Sequence, residues 1–251
     1  MSTDIKRQKI GGFLADLEIR ELWRRYYLFI LLGLLLIISG NLHDAFFTRS
    51  NMFNVLGSNA TIAMVSIGMF GVILIGGIDL SVGSVVALSG TMTASLLQAG
   101  LPWWAAILVV LICMLIPGLI SGLLIAYGNI PPFMTTLAMM TIVRGIAYML
   151  QVGSPRLIFD KTVLFLGTGA LGWMPMPIMI LLIVLIPSWL VLEKTTSGRI
   201  LYAIGNNPRA TYLSGISVKR YTVLAYVANS LIAGAAGIVL AARIMMGAAI
   251  T

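Results

Sequence analysis

The 251-residue chain is 59% hydrophobic and only 10% charged, with a mean hydropathy of +1.02, well outside the range of soluble globular domains. A formal charge of +8 would suggest a nucleic-acid partner for a soluble protein, but here the basic residues fall between apolar runs and report membrane orientation, so no nucleic acid is expected. The single cysteine, Cys113, lies inside an apolar run and excludes a disulfide framework or a paired metal-ligand spacing; no metal site is expected.

Residues 1–25 mix Lys6, Arg7, Lys9, Arg20, Arg24 and Arg25 with four acids and precede a full-length span. They are expected to form a retained cytoplasmic lead-in, with a short interfacial helix around Phe13 to Trp23, and not a cleavable signal. Residues 26–251 then make up the transmembrane domain. Its apolar segments are roughly Tyr26–Gly40, Val55–Ile75, Ser84–Leu97, Trp103–Tyr127, Phe133–Leu150, Pro177–Leu192 and Thr222–Ala242. The third and sixth fall short of the ~20 residues that a helical crossing needs. The fold class is therefore all-α: a polytopic membrane helical bundle of about seven apolar segments.

His43 and Asp44 fall in a short loop after the first segment, where no second histidine or carboxylate cluster accompanies them. The octapeptide Gly76-Gly77-Ile78-Asp79-Leu80-Ser81-Val82-Gly83 separates the second and third segments. A carboxylate among such neighbours is costly and persists where it faces protein, a polar cavity or the interface. The glycines let the backbone bend, and irregular backbone at membrane depth needs the same shelter. Gly76, Gly77, Asp79, Ser81 and Gly83, together with Arg144 further along the chain, are thus candidates for a pathway or hinge. Asp79 equally suits a helix cap that accepts from the amides of Leu80 to Val82.

Trp103, Trp104 and Tyr127 suit interfacial belts, and Pro102, Pro131 and Pro132 fall at segment edges. Gly118, Gly122 and Ala126 lie four apart, as do Ala233, Gly237 and Ala241, giving two smooth strips for close helix approach. Arg144 lies inside the fifth segment, where it can pair with a carboxylate or carbonyls, or snorkel to an interface. Its separation from Asp79 is open at this point.

The loop at 193–221 runs Lys194-Thr195-Thr196-Ser197-Gly198-Arg199, then through Gly205-Asn206-Asn207-Pro208-Arg209-Ala210 to Lys219-Arg220. Asn207 is placed to cap a helix with Pro208 at its first position; Ala210, Leu213 and Ile216 share a face, and Gly215 ends it. Such a helix is too short to stand alone and needs a partner surface. With the N-terminus inside, the cytoplasmic pieces hold eleven basic residues against four outside (Arg49, Arg156, Lys161 and Arg243), a positive-inside bias. The chain stops at Ala248-Ala249-Ile250-Thr251 directly after an apolar run, from which a C-terminally truncated product is expected. The phosphate-cradling pattern G-x-x-x-x-G-K-[ST] does not occur, so no nucleotide hydrolysis by this chain is expected.

Three of these pieces in order, Gly76–Gly83, Pro132-Phe133-Met134-Thr135-Thr136-Leu137 with Arg144-Gly145 downstream, and Thr196 to Ile216, resemble bacterial ABC importer permeases of the ribose-type monosaccharide group. The resemblance runs from about Leu28 to the end. It implies a non-enzymatic permease subunit of the bacterial inner membrane that pairs with a second permease, as a homodimer. It also implies an external sugar-binding protein and cytosolic ABC ATPase subunits, with ATP held on the partner and no cofactor in this chain. On that resemblance, Gly205, Asn207, Pro208, Arg209, Ala210, Leu213 and Gly215 form the ATPase-coupling loop. Arg209 stands where the family's coupling signature has an acidic residue before Ala-Ala. The rival expectation is a gradient-driven secondary carrier or channel for a small solute, with Asp79 as its ion site.

Overall fold

A computed structural model of the protein describes residues 24–151 and 153–249. The expected interfacial helix at Phe13–Trp23 lies outside them, as do the last two residues. The chain divides into two units, residues 1–54 and 55–251, each taken by itself.

In the first unit, α1 (Arg24–Leu42) exposes nearly every side chain, including Leu28, Phe29, Leu35 and Ile37, as a helix meant for lipid does. Beyond it the chain turns tightly. Phe46 and Phe47 stack edge-on, with centroids 5.0 Å apart, and Asn51 donates to the Phe46 carbonyl at 2.8 Å.

α2 (Arg49–Leu74) leads into the second unit, which continues with α3 (Val82–Gln98), α4 (Trp103–Ala126), α5 (Pro132–Gln151), α6 (Lys161–Thr168), α7 (Met176–Lys194), α8 (Thr196–Asn206), α9 (Pro208–Leu213) and α10 (Val218–Ile244). All seven predicted apolar segments are helices. The sixth is a correction: α7 has 19 residues and is long enough to cross. The third, α3, stays short at 17 residues, leaving six described helices of membrane-crossing length and composition.

The core is α3, α4 and α10. Both predicted small-residue strips face this core: the strip on α4 packs against α10, and the strip on α10 packs against α3. A Cβ on Gly118 would stand 2.5 Å from the Tyr226 carbonyl, and one on Gly122 would stand 2.8 Å from Val223 Cα, so the backbones of α4 and α10 touch directly. On another side of α10, Gly237 lies against the Val86 carbonyl and Ser89, and Ala241 against Gly90. This contact replaces side-chain interdigitation with dispersion between close-packed backbones, the mode that suits a medium where hydrophobic burial gives no drive. Met64, Val85, Val110, Met114, Val143 and Ala233 fill the space around it.

The segment between α5 and α7 was legible only as an outer loop. It carries α6, whose cap Asp160 accepts from the amides of Thr162 (2.9 Å) and Val163 (3.0 Å). It also carries three two-residue strands: β1 (Arg156–Leu157), and the β2 (Ala170–Leu171) and β3 (Met174–Pro175) hairpin. β1 pairs antiparallel with β4 (Met246–Gly247), Arg156 opposite Gly247, which anchors the end of α10 beside the end of α3.

Candidate coupling and pathway site

The break between α2 and α3 is built by glycine. Gly76 has φ +77°, and its amide donates to Ile73 O (2.9 Å) while that of Gly77 donates to Val72 O (2.9 Å). This double closure is a Schellman end: the left-handed residue satisfies the last carbonyls of α2 and turns the chain sharply. Gly77 then passes under Tyr226, whose hydroxyl would stand 2.6 Å from any Cβ there.

Asp79 follows, 3% exposed. Its Oδ1 accepts from the Ser81 amide (2.9 Å) and the Ser81 hydroxyl (2.6 Å), and its Oδ2 accepts from Asn229 Nδ2 (2.8 Å) on α10. Of the three amides expected at this cap, only that of Ser81 is engaged. Tyr226 and Thr136 both donate to the Ile78 carbonyl, at 3.3 and 3.4 Å. The corner is therefore tied to α10 and α5 through three side chains. Gly83 faces open space on the first turn of α3.

Arg144 does not join this cluster. Asp79 pairs with Asn229 and Ser81, and among the described residues Arg144 forms no hydrogen bond or ion pair; its Nε is buried without a partner.

The coupling loop forms two helices where one was expected. In α8, Thr195 accepts from the Gly198 amide at 3.3 Å, and Gly198 lies on the carbonyls of Val191 and Leu192 at the end of α7. At its other end Gly205 lies directly on the Leu74 carbonyl, the last residue of α2, leaving no room for a side chain. A cleft of about 400 Å³, lined in part by Gly68, Ser188, Leu201, Tyr221 and Ala228, borders α8.

α9 starts as predicted: the Asn207 side chain accepts from the Ala210 amide (3.0 Å), with Pro208 in the first turn. It ends at Leu213, two residues before the expected terminator Gly215. Gly215, φ +82°, donates to Tyr212 O (3.0 Å) and Ile216 donates to Thr211 O (3.4 Å), a second Schellman end. Ile216 thus leaves the helical face assigned to it. Arg209 and Ala210 are exposed, and so are Tyr212 and Leu213, the latter 76% exposed. A six-residue helix that displays two large apolar side chains offers a contact surface.

Asn229 and Tyr226 were missed by sequence reasoning. The signal was present, since an amide inside the apolar run Leu224 to Ile232 is as conspicuous there as Asp79 is before α3.

The chain is a multi-pass helical membrane protein, broken between α2 and α3 at a buried carboxylate, and it falls in the class of membrane permeases. The chain is a member of the branched-chain amino acid transport system / permease component family, whose pattern matches residues 51–249. It is 39% identical over 248 residues to the ribose import permease protein RbsC of Haemophilus influenzae, covering 97% of this chain and 74% of that one. With the RbsC of Escherichia coli K12 it shares 37% identity over 219 residues, covering 86% and 68%. With the L-arabinose transport system permease protein AraH of the same organism it shares 34% over 241 residues, covering 96% and 74%. No solved structure matches the chain.

Proposed function

We propose that this chain is the membrane-spanning subunit of an ATP-driven importer for a monosaccharide. The observation that carries the proposal is the contact of α8 with the end of α2. It gives a partner seated on α9 a direct mechanical route, through Gly205 and the Leu74 carbonyl, to the Asp79 corner. The chain catalyses no bond chemistry. ATP bound to a cytosolic ATPase pair stabilises one arrangement of the permease over another, and the permease can respond only to the extent of that difference. The N-terminus and α8–α9 are assigned to the cytoplasm by the positive-inside bias. A second copy of the chain and an external sugar-binding protein complete the assembly.

The substrate class rests on relatives named for ribose and L-arabinose, together with one named for D-allose, although the family description speaks of branched-chain amino acids. The sugar reading is preferred because these relatives match across most of the chain. The second reading is the carrier, with Asp79, bonded to Asn229 and Ser81, as its ion site.

The test is purification from the native membrane in mild detergent, followed by reconstitution and uptake of labelled ribose, allose, arabinose and leucine. A stoichiometric ATPase partner and ATP-dependent uptake of one of the sugars are expected. A well-folded chain that carries no ATPase, with uptake that collapses on adding an uncoupler while ATP remains, would establish the carrier instead.

A further inference from the structure

α5 has two unlike faces. Thr135, Thr136, Met139, Val143, Ala147 and Gln151 are buried, forming the side that meets α3. Leu137, Thr141, Arg144 and Tyr148 recur at i, i+4, i+7 and i+11 and so share another face. On that face Leu137, Thr141 and Tyr148 are exposed, Arg144 is half-buried, and the neighbouring Gly145 looks onto open space.

Such a face does not suit lipid. Arg144 is the thirteenth of the twenty residues of α5, about 18 Å from its start at 1.5 Å per residue. Helical side chains lean towards the N-terminus, so this one leans away from the nearer helix end, and its Nε is buried without a partner. The carboxylates of the described residues give it no partner either. Asp79 is bonded to Asn229 and Ser81, Asp160 caps α6, and Asp44 and Glu193 lie in a loop and at the end of α7. Among the described residues the guanidinium therefore has no anionic partner, and water or solute oxygens can satisfy its donors.

We propose that the Thr141–Arg144–Tyr148 face of α5 lines the aqueous solute passage, and that Arg144 is its charge filter, donating hydrogen bonds to hydroxyl-bearing solutes and repelling cations. The guanidinium presents five N–H donors and no acceptor, and its fixed charge is not neutralised, which favours neutral or anionic polyols over sodium ions or protonated amines. The hydroxyls of Thr141 and Tyr148, one helical turn to either side, extend the polar track. Only the naming of the solute rests on the importer reading; the aqueous face stands on the geometry of α5.

The test uses single cysteines in the full assembly, in membrane vesicles, with Cys113→Ser as background. Thr141→Cys, Arg144→Cys and Tyr148→Cys are treated with membrane-impermeant thiosulfonates, one anionic and one cationic, and compared with Ile142→Cys on the apolar flank towards α4. All three are expected to react about ten-fold or more faster than Ile142→Cys. At 141 and 148 the anionic reagent is expected to be favoured, relative to a free thiol, and Arg144→Gln to abolish that preference. Because the Thr141 and Tyr148 variants keep the arginine, the test survives misfolding of Arg144→Cys. Rates at 141 and 148 equal to that at 142 would overturn the aqueous face, and a charge preference indifferent to Arg144→Gln would overturn the filter. The labelling needs no ATP and no sugar, so a reactive face without ATP-driven uptake would count against the importer reading alone.

Discussion

Gly205 tests the route from loop to corner most directly. A Cβ there meets the Leu74 carbonyl well inside contact distance, and normal separations of 3.5–4 Å require α8 to retreat by roughly 1.5 Å. Overpacking of this kind costs about 1–3 kcal/mol. Alanine in place of a helical glycine returns about 1 kcal/mol, so Gly205→Ala should lose only about 0–2 kcal/mol and remain folded. Its effect therefore falls on coupling: a penalty near 1.4 kcal/mol on the arrangement that presses α8 onto α2 corresponds to about a ten-fold loss. The assay is reconstituted uptake per ATP hydrolysed, with ATPase co-purification measured in parallel. We expect the ATPase to remain bound, hydrolysis to persist and uptake per ATP to fall about ten-fold for Gly205→Ala, and further for Gly205→Leu. Gly215→Ala separates this from a general loop defect, since nothing lies within 4 Å of that position and its cost, about 1–2 kcal/mol, comes from φ +82°. Wild-type uptake and wild-type stimulated hydrolysis in both Gly205 variants would refute the mechanical route.

Three further outcomes follow from the packing and the caps. Asn229→Ala removes a hydrogen bond to a buried carboxylate and should lower stability by about 2–3 kcal/mol, read as a reduced midpoint in detergent thermal unfolding; an unchanged midpoint would mean that water replaces the amide. Gly68→Ala places a Cβ 2.7 Å from Asn229 Oδ1 and should destabilise by about 1–3 kcal/mol, whereas Gly71→Ala, with nothing within 4 Å, should be neutral or stabilising by up to about 1 kcal/mol. Asp160→Ala removes both cap bonds of α6 and should cost about 1 kcal/mol, visible as faster hydrogen exchange of the Thr162 and Val163 amides while α10 is unaffected.

What the sequence disclosed divides along physical lines. Apolar runs of membrane length have one stable solution in a bilayer, so seven of the helices were legible, and glycine announced both Schellman ends at Gly76 and Gly215 because few other residues accept that φ. Asn207 and Pro208 were legible as a cap for the same local reason. α8 was not: its apolar run Ile200 to Ile204 is only five residues long and is bounded by Gly198 and Gly205, which also suit a loop, and contact with α7 and α2 supplies what propensity does not. α6 was hidden likewise, a single two-turn helix inside an outer loop, held by α10. The partner of Asp79 could not be read from its neighbourhood, because hydrogen bonds across helices carry no local spacing. The unpaired state of Arg144 also emerged only once every described carboxylate had a place.

The bond between Asp79 and Asn229 joins residues 150 positions apart, and this sets an order of events at the ribosome. At about 5–20 residues per second, roughly 8–30 s pass between synthesis of the carboxylate and arrival of the amide that receives it. Throughout that interval α2 and α3 exist with Ser81 as the acid's near partner and nothing from α10 to close the corner. The nascent hairpin must therefore wait beside water or within the insertion machinery, and the later helix completes the earlier one. Biogenesis of this protein is thus paced by its last described helix, and a nascent chain stalled before Asn229 presents quality-control proteases with an acid stranded in the membrane.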